Sequence, residues 1–93
     1  GTTIGTVITP SLQTITIERQ PRYRLEDFSY LGTIVEDPGG FFVAPDSPMR
    51  SVADLVARAR ENPGAIAVGT AGIGSDDHLL MIALERAAGI RLN

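Results

Sequence analysis

AIAVGTAGIGSDDHLLMIALERAAG, residues 65–89, is the stretch whose reading decides the fold. AIAVGT, 65–70, is short, apolar and bounded by glycines, which predicts a central strand. Leu79, Ile82, Ala83 and Arg86-Ala87 then recur at helical spacing, and Gly89 closes the helix. Between them lies AGIGS, a glycine-rich handover from strand to helix. In an open parallel sheet, ligands bind beyond the carboxyl ends of strands at such handovers. Gly72 and Gly74 leave no side chain in the way, Ser75 is placed to cap the helix, and the first-turn amides point outward. An anionic group, carboxylate or phosphate, is the natural occupant of that arrangement. A tight turn with no ligand is the other reading, and the residues alone leave both open.

Working outward, GGFFVAP, 39–45, predicts an apolar strand stopped by Pro45. DSPMRS is a turn, with Ser51 as the expected N-cap and Asp54 three residues on in a shortened capping-box pattern. Val52, Leu55, Val56 and Ala59 come next at helical spacing, and Asn62-Pro63-Gly64 is a strong stop. A helix is therefore expected from about Val52 to Glu61. Ile90-Arg91-Leu92-Asn93 predicts the onset of another strand. Strand, helix, strand, helix, strand onset means an α/β parallel sheet with right-handed crossovers and helices on its faces.

Toward the amino end, TTIGTVITP is rich in β-branched residues and predicts a buried strand ending at Pro10. SLQTITIERQPRYRLEDFSYL lacks strong helical periodicity; Leu12, Ile15 and Ile17 suggest a short turn and an extended run. Leu25 to Phe28 predicts a short turn docking one aromatic, and Tyr30 to Pro38 a second strand. A first strand and a last strand onset without partners would leave open edges. The chain is thus expected to be a fragment, or one lobe of a two-lobed protein, able to self-associate through those edges.

Composition narrows the chemistry. The 93 residues carry a formal charge of −3, and all eight basic residues are arginine. Without a basic patch, nucleic acid is not expected as a partner. Arg19, Arg22 and Arg24 cluster around Pro21, as a solvated connector would. The chain has no cysteine, so disulfides, Cys-ligated metals and thiol catalysis are excluded. No apolar run approaches the roughly 20 residues needed to cross a bilayer. The chain opens on a strand-like pattern and not on a signal peptide.

Enzymatic readings of the glycine turn fail on particular residues. Gly69 to Gly74 followed by Ser75 imitates the start of a P-loop, but its lysine is missing. The glycines fall as G-x-x-G-x-G, not as the dinucleotide fingerprint. Ser75, Asp76 and His78 cannot converge as a triad from one helical turn. Asp76, Asp77 and His78 point in different directions, which defeats a metal site. His78, the one histidine, suits capping or packing better than ligation. Asp76 and Asp77 favour the positive end of a helix, each worth about 0.3–1 kcal/mol. No catalytic machinery, cofactor or metal is expected.

LEDFSYLGTIVEDPGGFFVAPDSPMRSVADLVARARENPGAIAVGTAGIGSDDHLLMIALERAAGIRLN resembles the substrate-binding receptors of tripartite tricarboxylate transporters, the TctC or Bug family. The L-x-D-F entry at Leu25 to Phe28, V-x-P-D-S-P at Val43 to Pro48 and S-V-A-D-L at Ser51 carry the likeness. The N-P-G stop at Asn62 and G-T-A-G-x-G-S-x-x-H-L at Gly69 complete it, in order, over about seventy residues. The resemblance implies a type II periplasmic-binding-protein fold: two α/β lobes, hinge-closing around a small carboxylate and delivering it to a membrane transporter. It implies a periplasmic location, with residues 1–24 ending the first lobe and crossing over, and 25–93 forming part of the second. Gly72, Ile73, Gly74 and Ser75 would supply amides and a hydroxyl to the ligand carboxylate. Thr9 and Ser11 would form a polar cleft edge. Asp76 and Asp77 stand where the family usually carries small or neutral residues. If Asp76 or Asp77 faces the cleft, a second anionic group is disfavoured and an ammonium or amide favoured; otherwise both only strengthen the helix start. The rival expectation is an α/β enzyme domain that takes a phosphorylated substrate or nucleotide at the same turn.

Overall fold

A computed structural model describes residues 2–93. Three α-helices and one 3-10 turn make up the regular structure: α1 over Ser11–Glu18, the turn over Leu25–Asp27, α2 over Val52–Glu61 and α3 over Asp76–Ala88. Among the described residues there is no strand, so the expected parallel-sheet α/β lobe is corrected. The segments expected as strands, from Thr2, Tyr30, Gly39, Ala65 and Ile90, run as irregular chain. β-propensity records how a side chain fits a pleated neighbour, and a strand has no stability apart from its partners. Here the β-branched and aromatic residues find few: Ile34 is 93% and Phe42 97% exposed. The radius of gyration is 17.0 Å, against roughly 12 Å for a compact chain of this length. That shape goes with long stretches, 2–9 and 26–46, whose residues are all exposed.

One local exception is informative. Gly64 N–H donates to Arg91 O, Asn93 N–H to Ile66 O, and Val68 N–H to Asn93 O, at 3.0, 2.8 and 2.7 Å. Segments 64–68 and 91–93 thus run side by side in the same direction. Gly64, Ile66, Val68 and Thr70 are half-buried while the residues between them are exposed. The alternation is that of a pleat, but the pairing is too short to be a sheet.

α2 forms where its capping residues predict. Ser51 Oγ accepts the Asp54 N–H at 3.2 Å. The Asp54 carboxylate reaches Arg50 N–H at 2.9 Å instead of the Ser51 amide, so the box is not reciprocal. Leu55 and Ala59, four apart on one face, are buried, and with Ile90 they are the buried apolar side chains. In place of the expected turn and extended run, α1 is a helix of eight residues with no side-chain cap. In its first turn the Gln13 and Thr14 amides bond to Pro10 O at 2.9 and 3.0 Å. Tyr23 fastens the connector behind α1: its hydroxyl donates to Leu12 O at 3.1 Å. Its ring meets Phe28 edge to face, centroids 5.3 Å apart, the aromatic contact expected of the Leu25–Phe28 turn.

The two ends of α3 are built differently. At its carboxyl end Gly89 turns left-handed, and Ile90 N–H returns to Glu85 O at 3.1 Å. The Glu85 carboxylate accepts Leu92 N–H at 2.7 Å, and Arg60 of α2 donates to Ala88 O at 2.9 Å. A cation on the last carbonyls suits the negative end of the helix dipole. Nearer the middle, Gly39 comes close enough to Leu80 that an added Cβ would lie 2.9 Å from its Cδ2.

Candidate functional site

The amino end of α3 is the glycine turn. Ser75 has extended backbone angles, and its Oγ accepts His78 N–H at 3.2 Å, satisfying one of the four orphan donors of the helix start. Gly72 and Gly74 take positive φ, +136° and +81°, which reverses the chain into the helix. Ser75 N–H folds back to Gly72 O at 3.1 Å, and Gly72 N–H lies 3.4 Å from Thr70 Oγ1.

Gly74 is the centre of the arrangement and is buried. Its N–H donates to His78 Nδ1 at 3.0 Å. The imidazole is thus tied to the turn through Nδ1. The Gly74 carbonyl accepts from Thr14 Oγ1 at 2.7 Å, shorter than that hydroxyl's 3.3 Å approach to Ser11 O within α1. A Cβ built on Gly74 would stand 2.6 Å from Glu18 Oε1 and 3.0 Å from Thr14 Oγ1. α1 therefore lies directly on the turn, through two side chains one helical turn apart.

The expected site residues separate into those the structure joins and those it leaves apart. Gly72, Ile73, Gly74 and Ser75 are contiguous around the helix start. Of their amides, those of Gly72, Gly74 and Ser75 have intramolecular acceptors. The N–H groups of Ile73, Asp76 and Asp77 have no acceptor among the described residues. The Asp76 and Asp77 side chains make no ion pair there; the one pair is Arg24–Glu26, at 3.6 Å on the surface. Thr9 is exposed, and Ser11 is half-buried at the start of α1; neither is bonded to the turn. Thr14, Glu18 and the acceptor role of His78 lie outside the expected set. Thr14 and Glu18 stand four apart, a spacing that signals a shared face only once α1 is known to be a helix.

Two shallow surface depressions lie elsewhere. One is between Pro48 and the outer face of α2, and the other runs from Thr16 and Arg19 to Tyr23 and Glu26. Neither includes a residue of the glycine turn. Among the described residues there is no group of three metal-ligating side chains, and no helix is long and apolar enough to cross a membrane. The turn offers N–H groups without an acceptor among the described residues, a hydroxyl already used as a cap, and the positive end of a 13-residue helix. That set can hold an anionic oxygen; it contains no nucleophile with a base beside it.

Comparison with known proteins bears on this arrangement. No solved structure matches the chain. A Pseudomonas sp. (strain P51) protein described as "UPF0065 protein in tcbD-tcbE intergenic region" is 36% identical over 55 residues, 59% of this chain and 16% of its own length. An Agrobacterium vitis protein described as "UPF0065 protein in the TAR-I ttuE-ttuC' intergenic region" is 35% identical over 68 residues, 73% of this chain and 20% of its own length. The chain thus spans a fifth or less of the length of these curated relatives. The model of the tripartite tricarboxylate transporter family receptor, TctC, matches residues 1–93. This chain belongs to the tripartite tricarboxylate transporter receptor family.

Proposed function

We propose that this chain is the ligand-capturing segment of an extracytoplasmic receptor that binds a small carboxylate and delivers it to a tripartite transporter. Family membership supports the receptor class. The observation that carries the carboxylate is the set of N–H groups at Ile73, Asp76 and Asp77, which have no acceptor among the described residues at the positive end of α3. A carboxylate with two oxygens matches adjacent outward amides, and charge-assisted bonds of this kind are about twice as strong as neutral ones. Ser75 orders the site by holding the helix start, and Gly72 and Gly74 hold the backbone close. If the Asp76 side chain, in the first turn of α3, faces the cleft, it disfavours a second anionic group there and favours an ammonium or amide. Di- and tricarboxylates, amino acids and aromatic acids are the candidate classes. Thr9 and Ser11 belong to the opposing edge of the cleft. In this reading residues 1–24 close one unit and cross to a second, which residues 25–93 help to build. The periplasm is the compartment.

The test is thermal stabilisation of the intact protein by citrate, succinate, glutamate and benzoate, with AMP and ATP in parallel. A cognate carboxylate at a hundredfold excess over its Kd adds about 2.7 kcal/mol to stability. Stabilisation by a nucleotide and by none of the carboxylates refutes the receptor reading in favour of a phosphate-binding enzyme domain.

A further inference from the structure

We propose that α1 is a strap that holds the chain's own carboxylate, that of Glu18, over the glycine turn, so that an incoming ligand must displace it. Three observations carry this. Glu18 Oε1 and Cδ lie 2.6 and 3.0 Å from where a Gly74 Cβ would be, in contact with the backbone that leads into α3. Thr14, on the same face of α1, donates to Gly74 O at 2.7 Å across 60 residues of sequence. The Glu18 carboxylate has no hydrogen-bond or ion-pair partner among the described residues. Glu18 is exposed, so its carboxylate stands there by its position on α1 and not through a bond of its own.

A carboxylate beside the positive end of a 13-residue helix is attracted by the dipole and resisted by Asp76 and Asp77 in the first turn. The Thr14 hydroxyl supplies the fixed point of the strap. A ligand carboxylate seeking the Ile73, Asp76 and Asp77 amides then meets a turn at which Glu18 already stands beside Gly74. Binding and undocking of α1 are then linked: whatever loosens the strap tightens the ligand by the same factor.

The strap itself is testable without any ligand, and its second consequence rests on the carboxylate reading above. Amide hydrogen exchange is measured on the intact ligand-free protein, wild type and Thr14→Val. Loss of one hydrogen bond of ordinary net worth gives about two- to tenfold faster exchange at Gly74 and Ser75. The Asp54 and Leu55 amides of α2 remain unchanged as the internal reference. Equal exchange at Gly74 and Ser75 in both proteins overturns the strap. In the second arm citrate and glutamate are titrated into wild type, Thr14→Val and Glu18→Gln. Both variants bind the probe more tightly than wild type; unchanged or weaker binding by both overturns the linkage. Should exchange quicken while no protein binds either probe or any other carboxylate, the strap stands and the carboxylate reading falls.

Discussion

Replacing Gly74 by alanine tests the contact between α1 and the glycine turn with a built-in control. Gly64 and Gly74 have nearly the same left-handed φ, +77° and +81°. Alanine at either position incurs the left-handed penalty, about 1–2 kcal/mol. At Gly64 nothing lies within 4 Å of the new methyl, so the cost ends there. At Gly74 the methyl arrives 2.6 Å from Glu18 Oε1, the far end of a flexible side chain that swings aside. It also arrives 3.0 Å from Thr14 Oγ1, which is tied to the Gly74 carbonyl and has to give up that bond to move. Losing the bond adds about 0.5–1.5 kcal/mol. Gly74→Ala is thus expected to be more destabilising than Gly64→Ala by that margin. Urea unfolding of the intact protein reads it: 1 kcal/mol is about 0.5 M in midpoint at an m-value of about 2 kcal/mol/M. In a Thr14→Ala background the margin closes, because the obstructing oxygen is gone. Equal losses for the two glycines, or a margin that survives Thr14→Ala, refutes the packing of α1 on the turn.

The two serine caps offer a paired comparison: Ser51→Ala and Ser75→Ala each remove an acceptor 3.2 Å from a first-turn amide. Each is expected to cost about 1 kcal/mol in urea unfolding, with lost helicity confined to α2 or α3, respectively, by amide exchange. A loss below a few tenths at both would mean neither hydroxyl caps. His78→Phe keeps a ring but removes the acceptor of the Gly74 N–H, leaving a buried donor unpaired at a cost of about 1–3 kcal/mol. An unfolding midpoint equal to wild type would show that Gly74 finds another acceptor.

Helices with punctuation are legible in the sequence. α2 spans Val52–Glu61 because Ser51 caps it, Asn62-Pro63-Gly64 stops it, and Leu55 and Ala59 share its inner face. α3 ends at Gly89 for the same kind of reason. α1 is not legible: it has no side-chain cap, and Thr14, Ile15, Thr16 and Ile17 are β-branched, which weakens helix and favours strand in isolation. Its helix leans instead on Pro10 O at the start and on Tyr23 and Gly74 from outside, all invisible to local pattern. The expected strands fail from the opposite side. Their side chains have the right preferences, but a ladder is a relation between segments, and among the described residues only 64–68 and 91–93 exchange backbone hydrogen bonds of that kind. In the candidate site, Gly72, Gly74 and Ser75 can be read from residue type because backbone angle and capping are local demands. Thr14 and Glu18 cannot, since they reach the turn from 60 and 56 positions away.

α3 is clamped at one end and loosely held at the other. Around Gly89 it is fixed by a carboxylate, a guanidinium and a returning amide, whereas at Gly74 the one hydrogen bond from α1 comes from the Thr14 hydroxyl. Such a member behaves as a cantilever: a push on α1 deflects the tip at Gly74 and fades toward the root. A spin label at Asp77 would therefore register the position of α1, while one at Arg86 would stay silent. The helix converts the state of one distant threonine into a displacement that grows with distance from its anchor.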